Sequence, residues 1–184
     1  MLIDWQTVEK YCNITGVIHV GAYTAEERKY YKVPTKWVEA DPDLAAALKA
    51  KGLNCYNFAA TDYVGTAILN RMPFRAANSL LKPNLNRRRK DVYIEDQIEV
   101  QADMISSIQE PGYNFLNLDI QGAELDALHG TDLSMIDYIY TEIHEVETYF
   151  GCTKIWELDE YLKDFKRVET KMTKHKWGDA LYIR

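Results

Sequence analysis

The chain has 184 residues, of which 47% are hydrophobic and 27% are charged, a composition typical of a soluble globular protein with one substantial core. Its formal net charge is −6, from 22 lysines and arginines against 28 acids, which argues against general electrostatic binding to nucleic acid or anionic lipid. The three cysteines, Cys12, Cys55 and Cys152, are widely spaced without a CxxC pair, so neither a disulfide framework nor a zinc cluster is predicted.

Targeting and membrane signals are absent from the sequence. No apolar run approaches the roughly 20 residues of a membrane span, and the first residues lack the charged and apolar regions of a signal peptide. We therefore expect a cytoplasmic protein with reduced thiols and no membrane partner.

The first part of the chain predicts alternating helices and strands. In chain order the predicted elements are a short helix capped by Asp4, a strand at 15–20, a helix at 25–32, a strand at 36–40, a helix from Pro42 to Gly52 and a strand at 54–60. Each boundary carries an ordinary signal, such as an aspartate cap, a proline in a first helical turn or a glycine at an end.

From 62 to 107 the pattern changes, which indicates an insertion over the sheet. Stretches 65–70 and 93–100 alternate like strands, and a basic run at 86–90 lies between them. That run is suited to recognising phosphate or carboxylate on an acceptor; a merely solvated charge run is the alternative.

The alternation then resumes to the end of the chain. The predicted elements are a strand at 113–119, a helix at 123–129, a strand at 138–142, a helix at about 153–164 and strands at 167–173 and 180–184. We predict a single α/β domain over 1–184, with a mostly parallel sheet covered on both faces and ligands beyond the carboxyl ends of its strands.

A glycine-containing turn follows the first strand. Segment 17–27 has Gly21 at the strand end, and Glu39 ends the next strand. In nucleotide-binding folds such a turn lets the backbone approach the ligand, and an acid about 20 residues later binds ribose hydroxyls. Because Tyr23 and Ala25 replace the glycines of a pyrophosphate loop, the segment favours an adenosine ligand such as S-adenosylmethionine over NAD. An ordinary strand-to-helix turn is the alternative.

Asp119 stands at the end of a predicted buried strand and opens segment 119–130. An acid there faces the ligand crevice and can hold an amine, a hydroxyl or a metal. The alternative role is an N-cap for the helix that begins near Ala123. Gly122 would allow a close approach of backbone, and Glu124 could equally form a structural hydrogen bond.

Glu142 and His144 lie two residues apart on a predicted strand, so their side chains point to the same side. Histidine is suited to accept a hydroxyl proton near neutral pH, although a structural histidine is the alternative. A divalent metal held by Asp119, Glu142 and His144 is chemically sensible, but no spacing requires it. We predict these three residues as catalytic and no metal.

These segments together resemble the FkbM family of S-adenosylmethionine-dependent methyltransferases. The family pattern hVGAxxGEE resembles 19–27, EAxP resembles 39–42, LDxxGAExxxLxG resembles 118–130, and later strand ends resemble 141–145 and 177–182. The resemblance covers about residues 15–184, and the 118–130 segment is its most specific part. Ala25 departs from the usual glycine, and His19 stands where many methyltransferases have an acid.

The resemblance implies the class I methyltransferase fold, a Rossmann-like three-layer αβα sandwich with a seven-stranded, mostly parallel sheet whose last strand is antiparallel. It implies that Gly21 and Ala22 approach the donor, that Glu39 holds its ribose and that the turn at 59–62 lies against its adenine. The predicted donor-binding residues are His19, Gly21, Ala22, Tyr23, Glu39, Ala40, Ala60, Thr61 and Asp119.

The sequence thus predicts an O-methyltransferase that uses S-adenosylmethionine to methylate a hydroxyl of a small molecule or saccharide. A non-catalytic domain of the same fold, which binds the donor or a partner, is the alternative; Ala25 and the short chain favour it. The missing glycines disfavour an NAD-dependent enzyme. No pattern identifies the acceptor or the oligomeric state.

Overall fold

The computed structural model describes residues 1–86 and 92–184, so the predicted basic run at 86–90 lies outside the described residues except for Asn86. The α helices are α1 Trp5–Tyr11, α2 Pro42–Ala50, α3 Glu124–His129 and α4 Ile155–Tyr161. The strands are β1 Val17–Val20, β2 Thr35–Val38, β3 Cys55–Tyr56, β4 Ala59–Ala60, β5 Gly65–Arg71, β6 Asp96–Asp103, β7 Phe115–Leu118, β8 Tyr138–His144, β9 Lys166–Met172 and β10 Trp177–Ile183.

The main sheet has seven strands in the order β3-β2-β1-β7-β8-β10-β9. The pairs β3-β2, β2-β1, β1-β7 and β7-β8 are parallel, whereas β10 is antiparallel to both of its neighbours. The predicted fold class, with a mostly parallel sheet and an antiparallel last strand, is confirmed. The order in which the strands are added to the sheet reverses between β1 and β7, and open α/β sheets form a ligand crevice at such a point.

The side chains of the parallel strands alternate between two apolar layers. On one face, Ile18 packs in a cluster with Leu128 of α3 and with residues of α4. On the other face, Val17 packs with Val8 of α1, and Leu48 of α2 packs on the neighbouring strand β2. Both faces of the sheet are therefore covered by helices, which gives the three-layer arrangement.

A second sheet has the strand order β4-β6-β5 and carries most of the predicted insertion. The predicted strand at 54–60 is wrong as one element, because β3 pairs with β2 while β4 pairs with β6. Asn57 lies between the two, and its side-chain amide donates to the carbonyls of Glu39 and Ala40. These bonds bend the chain away from the main sheet after Tyr56.

The helix predicted at 25–32 is also wrong, since the chain forms one 3₁₀ turn over Glu26–Lys29. The turn is preceded by Ala25 in the left-handed region, with φ 56° and ψ 45°. After it, the hydroxyl of Tyr31 lies 2.9 Å from Nδ1 of His19 and accepts from the amide of Asn117 at 2.7 Å. The chain therefore turns inward toward the sheet instead of continuing as a surface helix.

The helix caps follow the predictions. Asp4 accepts from the backbone N–H of Gln6 at the start of α1, and Asp41 accepts from that of Asp43 at the start of α2.

The two edges of the main sheet differ in length, because β3 has two residues and β9 has seven. Along β9 the side chains of Lys166, Arg167 and Lys171 are exposed.

The three cysteines are free, as predicted. Within 1–86 and 92–184, no helix combines the length and apolar character needed to cross a bilayer.

Candidate active site

The carboxyl ends of β1, β2 and β7 open onto one cleft, which Gly21, Glu39 and Asp119 all line. It contains about 540 Å³ of space between atoms, part of which is open solvent. The ends of β1, β2 and β7, together with the segment that follows β3, line its walls. These residues are Val20, Gly21, Tyr23, Val38, Glu39, Ala40, Phe58, Ala59, Ala60, Asp119, Ile120 and Ala123. The three positions that the sequence placed at neighbouring strand ends therefore converge on one hollow.

Gly21 lies where the loops after β1 and β7 touch. Its φ is +82°, and a Cβ on it would lie 1.9 Å from the carbonyl oxygen of Asp119. Only glycine combines that conformation with that contact. In the same loop Tyr23 and Ala25 also have positive φ, of 45° and 56°, so the alanine at 25 adopts a conformation in which glycine is favoured.

Glu39 is 6% exposed and fastens the glycine loop to the start of α2. Its Oε2 accepts from the backbone N–H of Tyr23 at 2.7 Å, and its Oε1 accepts from that of Asp41 at 2.9 Å. Burial raises the pKa of the Glu39 carboxyl to about 7, against the lowering effect of these hydrogen bonds. Each oxygen keeps a second lone pair, so the carboxylate can still accept hydrogen bonds from the hydroxyl groups of a ligand in the cleft.

Asp119 lies on the floor of the cleft. Its side chain has solvent-accessible surface, but surrounding protein displaces much of its water, and this desolvation raises the pKa of its carboxyl to about 6. The alternative role as a helix cap is not what the structure shows. The N-cap of α3 is Ala123, which has no side-chain capping bond.

Gln121 connects Asp119 to the end of β8. Its Nε2 donates to Oδ1 of Asp119 at 2.8 Å and to Oε2 of Glu142 at 2.9 Å. Its Oε1 accepts from the hydroxyl of Tyr149 at 2.8 Å. Sequence analysis missed Gln121; its place two residues after Asp119 and directly before Gly122 was the available signal. In the structure both Gln121 and Gly122 have positive φ.

Glu142 and His144, predicted to face one ligand, do lie together. His144 Nε2 is 3.7 Å from Glu142 Oε2, and His144 Nδ1 is 2.9 Å from the hydroxyl oxygen of Thr148. Glu142 is 6% exposed and His144 is fully buried. Neither residue lines the cleft of Gly21, so these two predicted catalytic residues reach it through Gln121 and Asp119.

Glu124 completes this group. Glu124 is fully buried, and it contributes a carboxylate oxygen to a set of ligand atoms from Glu124, Glu142 and His144 that all lie within 4.8 Å of one another. Its Oε1 accepts from the backbone N–H of Gly122 at 3.0 Å, which is the structural hydrogen bond that the sequence left open. Burial raises the pKa of the Glu124 carboxyl to about 7.

Three predicted donor-binding residues do not line the cleft. His19 is 2% exposed, and its ring contacts that of Trp37, with 4.9 Å between the ring centroids. Burial lowers the pKa of His19 to about 3. Ala22 packs in the apolar cluster beneath α2. Thr61 donates to the carbonyl of Tyr63 and lines a separate groove beside the second sheet. The odd-numbered side chains of β1 point to the face of the sheet that α1 covers, so His19 points away from the cleft.

The insertion, which the sequence predicts to lie over the sheet, forms the opposite wall of the cleft. Leu69, Arg75, Ala76, Asn78, Ser79 and Leu80 line it. Asn78 donates its side-chain amide to Asp41 Oδ2 at 3.1 Å, and the Ser79 hydroxyl donates to the carbonyl of Gln121 at 2.9 Å. The segment thus spans the cleft from Asp41 to Gln121. These are long-range contacts, which the local pattern of residues 75–80 does not encode.

The chain matches the model of a known protein family. The family described as Methyltransferase FkbM domain matches residues 17–176. No curated protein sequence matches the chain.

Solved structures share the fold. A methyltransferase FkbM from Methylobacillus flagellatus KT superposes with a TM-score of 0.60 at 14% identity over 93% of this chain, which spans 44% of that protein. The magnesium protoporphyrin IX methyltransferase from Synechocystis PCC 6803, solved with bound SAM, superposes with a TM-score of 0.50 at 12% identity, over 98% of this chain and 79% of that one. At these identities the likeness shows the fold, and the chain spans less than half of the Methylobacillus protein.

Proposed function

Because this chain belongs to the FkbM methyltransferase family, we propose that it is an S-adenosylmethionine-dependent O-methyltransferase acting on a hydroxyl of a small molecule or saccharide. The observation that carries this proposal is the convergence of Gly21, Glu39 and Asp119 on one cleft. A nucleoside ligand needs a close backbone approach, an acceptor for its ribose hydroxyls and an apolar slot for its base.

The residues present fit S-adenosylmethionine. Glu39 offers carboxylate lone pairs to ribose hydroxyls, and Phe58, Ala60 and Ile120 give an apolar wall for adenine. Asp119 is placed to hold the amino group of the donor. Tyr23 lies on the same cleft and makes an edge contact with Phe74, with ring centroids 6.1 Å apart. When bound, the donor supplies an electrophilic methyl group.

At the acceptor end of the site Asp119 lines the cleft, and Glu142 and His144 lie behind it, joined to it by Gln121. As the acceptor oxygen forms its bond to the methyl carbon and the carbon–sulfur bond breaks, the hydroxyl proton must leave to a base. We assign that proton to this group, in which the His144 imidazole is 3.7 Å from the Glu142 carboxylate. Most of the rate acceleration would come from holding donor and acceptor in line.

Calorimetric titration with S-adenosylhomocysteine tests the donor assignment. The purified chain should bind one equivalent with heat release, and the ligand should raise its melting temperature because it binds only the folded state. Absence of both binding heat and thermal shift at millimolar ligand would contradict the proposal. NADH serves as the control nucleotide and should give neither signal.

A non-catalytic domain that keeps the donor site is the second candidate. The left-handed alanine at 25 and the span of 44% of the Methylobacillus protein favour it. Incubation with methyl-labelled donor and panels of sugar and phenol acceptors separates the two. Label transfer supports the enzyme, and donor binding without transfer to any acceptor supports the binding domain.

A further inference from the structure

The group formed by Glu124, Glu142 and His144 brings three metal-binding side chains together at the end of β8. One ligand atom from each lies within 4.8 Å of the other two. Donor atoms that share a single ion at about 2.0–2.2 Å from it lie roughly 3–4.4 Å apart. The 3.7 Å between His144 Nε2 and Glu142 Oε2 falls inside that range, and the remaining distances need only a small closure.

Glu124 supplies the second observation. Its side chain is fully buried, and within the described residues its Oε2 has no hydrogen-bond partner. Leaving a carboxylate oxygen unsatisfied in a protein interior is costly unless a ligand completes it. Its Oε1 is held by the N–H of Gly122 at 3.0 Å, so the carboxylate is already fixed in orientation.

The supporting contacts are those that metal ligands need. The hydroxyl of Thr148, 2.9 Å from His144 Nδ1, fixes the orientation of the imidazole and can accept from a protonated Nδ1, which is the tautomer that leaves the Nε2 lone pair for a metal. The amide of Gln121 donates to Glu142 Oε2 and so positions the second carboxylate. An imidazole with two carboxylates is a ligand set for first-row divalent ions such as Mn²⁺, Co²⁺ and Zn²⁺.

We propose that Glu124, Glu142 and His144 bind one first-row divalent metal ion beside the acceptor end of the cleft. This revises the prediction of no metal, and it replaces Asp119 by Glu124 in the ligand set considered from the sequence. The role of the ion rests on the proposed function, whereas its binding does not. With the ion bound, His144 is a ligand, so its imidazole does not also take the proton of the acceptor hydroxyl.

Titration of the chelator-treated protein with Co²⁺ tests the site. One equivalent should bind and give the visible absorption of protein-bound Co²⁺, and Zn²⁺ should displace it. Glu124→Gln keeps the shape of the side chain while removing its charge, and should weaken Co²⁺ binding at least ten-fold. The matched control variants Glu145→Gln and His129→Gln alter exposed side chains near the ends of β8 and α3 and should bind as the wild type does.

A measurement on the unmodified chain covers the case in which Glu124→Gln does not fold. In the wild-type NMR spectrum, Co²⁺ should shift the His144 ring protons strongly and those of His175 hardly at all. No Co²⁺ binding at millimolar concentration, or binding that leaves the His144 signals in place, would overturn the proposal. Since S-adenosylhomocysteine binding is measured separately without metal, failure of the metal site and failure of the donor site are distinguishable.

Discussion

Glu39 has two structural partners in addition to its proposed ligand. Its two oxygens fix the backbone N–H groups of Tyr23 and Asp41, so one side chain aligns the glycine loop with the start of α2. A carboxylate in this position prepares the cleft for a nucleoside before any ligand arrives.

Replacing Glu39 by glutamine tests this role. The amide has one acceptor oxygen in place of two and no charge, and a hydrogen bond to a charged group is worth about 1.5–3 kcal/mol. At pH 8 we expect the affinity for S-adenosylhomocysteine to fall roughly 10- to 100-fold, measured by calorimetry. Glu26→Gln, an exposed acid of the same loop, is the control. Equal affinities for both variants would remove Glu39 from the donor site.

At the scale of elements, α2 is held at its start by more than its cap. Asp41 is 1% exposed, and besides capping Asp43 it accepts from Asn78 at 3.1 Å and lies 3.5 Å from the Arg71 guanidinium. The cap of α2 is therefore also the anchor of the insertion that forms the far wall of the cleft.

The variant Asp41→Ala should lower the free energy of unfolding by about 2–4 kcal/mol, because the loss of a cap adds to the loss of hydrogen bonds to a charged group. Asp4→Ala removes a cap from α1 in an exposed position and should cost about 0.5–1 kcal/mol. Urea unfolding of both variants measures the difference. Similar losses of unfolding free energy in the two variants would show that the contacts of Asp41 with Asn78 and Arg71 do not stabilise the fold.

Elements whose limits are set by local chemistry were predictable from the sequence. Asp4 caps α1 and Pro42 begins α2 as expected, and the parallel strands ending at Gly21, Glu39 and Asp119 meet as expected. Long-range contacts overrode local signals elsewhere. Asn57 splits the strand predicted at 54–60 by bonding back to the carbonyls after β2.

The candidate site shows the same division. A strand end predicts which acid faces a crevice, and Glu39 and Asp119 do line the cleft, whereas the side chain of His19 lies on the opposite face of the sheet. The bridge made by Gln121 and the wall made by Asn78 and Ser79 depend on how the insertion folds over the sheet. One sequence contains no periodicity that encodes such a contact.

For the whole molecule, buried acids set the response to pH. Burial raises the pKa of Glu39 and of Glu124 from 4.5 to about 7, and that of Asp119 from 3.8 to about 6, so these three acids keep their protons in the folded state where the unfolded chain has lost them. Burial also lowers the pKa of His19 from 6.5 to about 3, which acts in the opposite direction but is one group against three. The folded state then binds more protons than the unfolded state between about pH 4.5 and 7, and stability falls as pH rises through that window.

Urea unfolding of the metal-free protein at pH 5 and pH 7.5 should therefore give the larger free energy of unfolding at pH 5. In Glu39→Gln the difference between the two pH values should shrink, because one of these buried acids no longer titrates. The same measurement on Glu26→Gln, whose residue is exposed, should keep the wild-type difference. A free energy that rises from pH 5 to pH 7.5 in the wild type would contradict the assignment.

The two borders of the main sheet also bear on how copies of the chain meet in concentrated solution. β3 offers another strand only two residues, and β9 presents the charges of Lys166, Arg167 and Lys171, which repel a like strand. In the second sheet, β5 is a border strand of seven residues. Asn70 near its end pairs with Ser79, and the apolar side chain of Ile68 is half exposed. We therefore expect self-association through strand pairing to begin at β5. The substitution Ile68→Lys would place a charge on that edge and oppose the pairing of two copies.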